Sequence, residues 1–141
     1  MDEASNVIAP GTAVHPSWCA PLFAAIDARD AGAFVSFLTD DALFRFGNAP
    51  VLEGSAAIRA AVAGFFAAIH ACRHELHATW QGPHSFVCEG VVTYTRLDRR
   101  LVALPFVNVF ELQDEKISSY RIYIDNAPLF APAEPGAAPI P

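Results

Sequence analysis

From Leu101 to Leu112 the chain alternates with a period of two. Leu104, Phe106, Asn108 and Phe110 fall on one face, and Pro105, Val107, Val109 and Glu111 on the other. A second alternating run, 117–125, follows the polar turn Gln113-Asp114-Glu115-Lys116, and two more span 73–81 and 85–96. Gly82-Pro83 and Asp98-Arg99 supply the turns between them. Upstream the period changes. Ile58, Val62, Phe65 and Ile69 recur at helical spacing behind Ser55, predicting a helix over 56–71 with Ser55 as its N-cap. Pro21 suits the first turn of an earlier helix carrying Leu22, Phe23 and Ile26, and Asp30 can cap a shorter one carrying Phe34, Phe37 and Leu38. Ala42, Phe44 and Phe46 oppose Leu43 and Arg45 in a short strand. This order predicts an α+β domain, with about three helices of the N-terminal half packed on the concave face of a curved antiparallel sheet.

Composition narrows the picture. The 141 residues are 53% hydrophobic, enough for one domain with a substantial core. The expected division is a flexible leader over 1–16, the domain over 17–130 and a proline-rich tail over 131–141. A net charge of −6 without a basic cluster argues against nucleic acid as a partner. No apolar segment has the length of a membrane span, so no membrane partner is expected. Three cysteines without a CxxC pair fit reduced thiols and a cytoplasmic location.

Asn108 is the anomaly in its strand. An amide on an apolar face must find a partner or cost about 1–3 kcal/mol, which marks a pocket wall. His74 shares a face with Leu76, Ala78 and Trp80, where it is either a core histidine or an acid–base group. A two-residue Asp98-Arg99 turn sets Glu89 opposite Asn108 on the inner face; a one-residue bulge turns it outward. Tyr120, beside Ile122 on its strand face, directs its hydroxyl inward. Phe44, Phe46, Phe106 and Phe110 are core and pocket wall together, Trp18 folds over the end of the first helix, and Asn48 sits in a turn at the rim. No metal site is expected of His70, Cys72, His74 and His77, because a helix-to-strand junction among them would point the imidazoles apart.

The segments TDDALFRF, EGSAAIRAAVAGFF, LPFVNVFEL and KISSYRIYID, in that order, resemble the SnoaL-like and ketosteroid-isomerase-like proteins of the nuclear-transport-factor-two-like superfamily, over roughly residues 18–130. The resemblance implies a cone-shaped fold around a hydrophobic pocket. It places the isomerase's general base at Phe46, its oxyanion tyrosine at Leu22 and its second donor at Asn108. The epoxide-hydrolase branch would place its water-activating aspartate at Ile122. Phe46 and Ile122 cannot hold or move a proton, so neither established chemistry is expected. Two readings follow. One is a homodimeric protein holding a small hydrophobic molecule and acting, without a cofactor, as an isomerase, cyclase or hydrolase through His74, Asn108 and Glu89. The other is a non-catalytic binding or assembly module with the same fold.

Overall fold

The computed structural model describes residues 15–132; most of the expected leader and tail, 1–14 and 133–141, lies outside the described residues. Helices α1 (Cys19–Asp27) and α2 (Ala31–Val35) precede strand β1 (Leu38–Phe46), a short β2 (Leu52–Glu53) and helix α3 (Ser55–Ala67). Strands β3 (Ile69–Gln81), β4 (Ser85–Arg96), β5 (Leu101–Gln113) and β6 (Lys116–Tyr123) follow, and a short α4 (Ala127–Phe130) ends the described chain. The six strands form one curved, unclosed sheet in the order β2-β1-β6-β5-β4-β3. The four long strands are antiparallel as the alternation predicts, whereas β1 joins β6 in parallel, so the sheet is mixed.

Local chemistry explains where the helices start and stop. Asp30 caps α2 as expected, accepting from Ala33 N at 3.0 Å. For α3 the cap is Gly54 rather than Ser55. Gly54 has φ +94°, a conformation that glycine adopts without strain, and it places the helix start one residue earlier in the turn. The helix ends at Ala67, not Ala71, because the chain from Ile69 pairs with β4, Ile69 against Arg96 and Ala71 against Thr95. Sheet pairing outweighs the helical spacing of Ile69. Ile58, Val62 and Phe66 form the buried stripe of α3, facing the sheet over a core rich in phenylalanine.

Two register details reshape the inner face. Arg99 takes φ +73° and Arg96 N donates to Arg100 O, so Leu97-Asp98-Arg99 is a three-residue loop with a left-handed third position. A two-residue turn of the hairpin type would need φ > 0 at its first position too. The longer loop shifts the pairing by one: Cys88, not Glu89, opposes Asn108, and Glu89 pairs with Val107 on the exposed outer face. In β3 an irregularity between Leu76 and Ala78 moves Thr79 opposite the buried Cys88, and Trp80 falls opposite Val87. Trp80 is therefore not on the face of His74. Gly90, opposite Leu76, lies so close to that distortion that a Cβ there would collide with the Glu75 carbonyl.

The last described residues close one end of the core. Leu129 is buried while Phe130 stays exposed, and Arg96 Nη1 donates to Pro128 O (3.2 Å) and Ala131 O (2.7 Å).

Candidate functional site

The helices and the concave face of the sheet enclose a cavity of about 230 Å³. Among the described residues its wall is hydrocarbon except at His74, Tyr94, Asn108 and Tyr120. Phe44, Phe46, Phe106 and Ile122 line it, as does Phe65 from α3, while the exposed Ala49 and Pro50 border its mouth.

His74 is the best-defined group. Its ring packs against Phe23 (5.1 Å between centroids) and Phe106 (5.4 Å), and its side chain is 10% exposed. Nδ1 lies 2.7 Å from Asp27 Oδ1, and the His74 backbone N donates to Asp27 Oδ2 at 3.1 Å. A carboxylate can only accept, so Nδ1 carries the proton in this contact, and in a neutral ring Nε2 keeps its lone pair. Asp27 ends α1, where the helix dipole disfavours a carboxylate by about 0.3–1 kcal/mol. The two hydrogen bonds to His74 offset that placement. An acid set against the local electrostatics thus fastens a cavity-lining histidine through both its ring and its backbone.

Cys72 lies one turn of the pleat away on the same face of β3, its Sγ 3.5 Å from Ile26 O and 3.8 Å from Asp27 Oδ1. Burial, reinforced by the Asp27 charge, pushes its thiol up to about 12. Asp27, Cys72 and His74 thus bring three potential metal ligands within 4.8 Å of one another, in one strand and one helix end rather than across a helix-to-strand junction. Their spacing is that of a hydrogen-bonded network. Two ligand atoms bound to one tetrahedral zinc at about 2.0–2.1 Å stand roughly 3.3 Å apart, wider than the 2.7 Å His74–Asp27 contact.

Asn108 is 2% exposed and lines the cavity. Its Nδ2 donates to Tyr120 OH over a long 3.4 Å, and its Oδ1 has no partner among the described residues. Such an orphaned carbonyl costs about 1–3 kcal/mol until something donates to it. Burial raises the hydroxyl pKa of both Tyr94 and Tyr120, so both remain neutral O–H groups able to donate. Tyr94 pairs with Cys72 across β3 and β4, and His74 pairs with Val92, which sets Tyr94 diagonally beside His74 on the inner face.

The other residues singled out by the sequence divide. Tyr120, Ile122, Phe44, Phe46 and Phe106 meet at the cavity with His74 and Asn108. Glu89 does not: the one-residue register shift leaves it on the outer surface, away from any acid role inside. Trp18 packs edge-on against Phe86 and Phe110, at 5.6 and 4.9 Å, so that Trp18 and Phe110 fill the core beyond the cavity instead of lining it. Asn48 is exposed in the turn after β1, and its amide is not part of the lining. Asp27 and Tyr94 are the functional candidates that the sequence pattern did not single out. The alternation Phe86, Cys88, Val92, Tyr94 carries the signal for Tyr94, but nothing in the local pattern distinguishes Asp27.

A helix-backed curved sheet around an apolar cavity, with a histidine–carboxylate pair in its wall, defines the class: an α+β cone of the nuclear-transport-factor-two type. The SnoaL-like domain family matches residues 21–120, and the chain belongs to it. A cystatin-fold protein from Novosphingobium aromaticivorans is 24% identical, with a TM-score of 0.63 over 74% of this chain and 92% of its own. A ketosteroid-isomerase-like-fold protein from Catenulispora acidiphila, solved with trimethylamine, gives a TM-score of 0.75 at 15% identity, covering 82% and 91%. A putative polyketide cyclase from Pseudomonas putida gives 0.66 at 19% identity, covering 76% and 88%. At these identities the likeness is one of fold. No curated protein sequence matches the chain significantly. No helix among the described residues is long and apolar enough to cross a membrane.

Proposed function

We propose that this protein is a cofactor-free acid–base enzyme, of the isomerase or cyclase kind, acting on a small apolar molecule held in the cavity. The observation that carries the reading is the 2.7 Å contact between Asp27 and a histidine in the cavity wall. In the proposed step His74 Nε2 takes a proton from a carbon next to a carbonyl. The C–H electron pair becomes the enolate double bond, and the oxygen that gains charge meets the neutral hydroxyl of Tyr94. Returning the proton to a different carbon isomerises the molecule; attack of the enolate carbon on a second carbonyl closes a ring, the C=O π pair passing to that oxygen, which takes the proton back from His74 as a hydroxyl. Phe46, at the place where the resemblance puts the isomerase base, is a hydrocarbon wall here. The base has moved to the opposite side of the cone, which implies a different substrate pose.

The same reading includes a homodimer formed through the outer face of the sheet. Val87, Val91, Val107 and Val109 are only half-buried there, and Tyr123 is exposed. Apolar groups left accessible in this way, around the outward Glu89 and Arg121, commonly mark an interface.

Deuterium exchange tests the chemistry without a known substrate. Simple cyclic ketones incubated with the protein in D2O should exchange α-protons faster than in buffer. His74→Ala should lower that rate by about 10²–10⁴-fold. Binding without exchange would leave the non-catalytic binding module as the better reading.

A further inference from the structure

We infer that the substrate is an elongated ketone that enters with its uncharged carbonyl end first, its hydrocarbon tail leaving through the open mouth across Val51 and Phe130. The inference rests on the carbonyl chemistry proposed above and adds the shape and orientation of the molecule.

Orientation comes from where polarity lies in the wall. Tyr94, Asn108 and Tyr120 are buried, and the His74 side chain is only 10% exposed. The exposed residues of the same wall, Ala49, Pro50 and Ala61, offer only hydrocarbon side chains. Ala49 and Pro50 lie in the connection between β1 and β2, whereas His74 is on β3, the edge strand at the other end of the sheet. A ketone placed carbonyl inward meets these polar groups. Reversed, it would set hydrocarbon against the His74 ring and the Tyr94 hydroxyl, which gain nothing from it. No lysine or arginine belongs to the described wall, so a carboxylate at the inner end would lose its hydration unreplaced.

Length comes from what continues outward. Val51 sits between the lining residues Pro50 and Leu52 and is 55% exposed. Phe130 is 53% exposed, and its ring meets, edge-on at 6.1 Å, the Phe65 ring that lines the cavity. Arg96 fastens α4, which carries Phe130, through Pro128 O and Ala131 O. One exposed apolar side chain is ordinary on a protein surface. Two large ones adjoining a hydrocarbon mouth extend the lining onto the surface. A tail crossing them takes apolar area on both partners out of water, which a ligand confined to the interior would leave exposed.

Isothermal titration at pH 8 with 2-heptanone, 2-undecanone, 10-oxoundecanoate and undecanoate tests this, the long chains kept in the cell below their solubility limits. A fully buried methylene is worth about 4-fold in affinity and a half-covered one about 2-fold, so the four additional methylenes should make 2-undecanone about 10-fold or more tighter than 2-heptanone. 10-Oxoundecanoate carries its charge at the tail end, which the mouth leaves in water, so it should bind within about 10-fold of 2-undecanone. Undecanoate, without the ketone, should bind about 10-fold or more weakly than 10-oxoundecanoate. Val51→Ser combined with Phe130→Ser, both at exposed positions, should cut the affinity ratio of 2-undecanone to 2-heptanone about 3-fold or more. Equal binding of the two ketones, or an unchanged ratio in the variant, overturns the tail path. Loss of 10-oxoundecanoate binding overturns the exit through the mouth, and undecanoate as tight as 10-oxoundecanoate overturns the orientation. Silence from all four overturns the inference whole. The readout is binding, so the two proposals fail separately. The expected order of affinities without deuterium exchange retires the catalytic reading only, and exchange without any gain from chain length retires the elongated ligand only.

Discussion

Asp27→Asn separates a dyad from a chance contact. The substitution keeps the size and shape of the side chain but replaces one carboxylate oxygen by an amide NH2. In the native protein both oxygens are used, Oδ1 by the His74 ring at 2.7 Å and Oδ2 by the His74 backbone N at 3.1 Å. An asparagine has one acceptor for these two donors. If it keeps the backbone bond, its NH2 faces Nδ1, and the imidazole must move its proton to Nε2 to accept. The ring then presents N–H to the cavity instead of a lone pair, and its capacity as a base is gone. Hydrogen bonds to a charged group contribute about 1.5–3 kcal/mol each, but the Asp27 side chain is 30% exposed, which screens them. One of the two survives in the variant. The expected loss of stability is therefore about 1–2 kcal/mol, or roughly 3–8 °C in Tm, while α-proton exchange should fall by about 10²–10⁴-fold. Long-range 1H–15N correlation spectra read the tautomer directly, with the His74 ring assigned by its disappearance in His74→Gln. The native protein should show Nδ1–H and the variant Nε2–H. An Nε2–H ring in the native protein, or an unchanged tautomer in the variant, would refute the orienting role of Asp27 whatever happened to the rate.

Four further outcomes follow from the same geometry. Asn108→Leu should leave urea stability unchanged or raise it by up to about 2 kcal/mol, since it removes an orphaned carbonyl for the loss of one long hydrogen bond; marked destabilisation would make the amide structural. Gly90→Ala should destabilise by about 1–3 kcal/mol in the same assay, because the new methyl meets backbone rather than a movable side chain; a neutral result would contradict the close approach of β3 to β4. Stability should fall on the alkaline side. The folded-state thiols of Cys19 and Cys72 are raised from 9.0 to about 11 and about 12, so their contribution is whole below pH 9 and disappears as pH climbs toward those values, at about 1.4 kcal/mol per unit per thiol. Urea midpoints at pH 8 and pH 10.5 that agree would rule this out. Sedimentation equilibrium should give a dimer at micromolar concentration, and Val107→Lys, which charges the outer face, should shift it to monomer.

How much of this the sequence discloses depends on the range of the interaction that decides each feature. The four long strands and the inward face of β5 are legible because a period of two is written locally, and Asn108 stands out there as the one polar residue on an apolar face. The end of α3 is not legible, because Ile69 continues the helical spacing and only pairing with Arg96 in β4, 27 positions on by residue number, draws it into a strand. Glu89 fails for a smaller reason. Its face depends on whether the Asp98-Arg99 turn holds two residues or three, and the left-handed backbone of Arg99 decides it without any glycine to announce the conformation.

Asp27 is the instructive absence. On sequence alone it is an acid at a helix end, close to Arg29 and Asp30, and the position reads as solvated surface. What gives it meaning is His74, 47 residues later, arriving on the edge strand of the sheet so that both carboxylate oxygens find donors from one residue. Neither residue signals the other locally: the helix dipole argues against Asp27, and the apolar neighbours of His74 argue for a core histidine. Each is unfavourable in its own setting and satisfied by the other. A pair that breaks two local rules, and is repaired only by tertiary contact beside a cavity, is better explained by a task at that wall than by stability, since an alanine at 27 and a leucine at 74 would obey both rules at once.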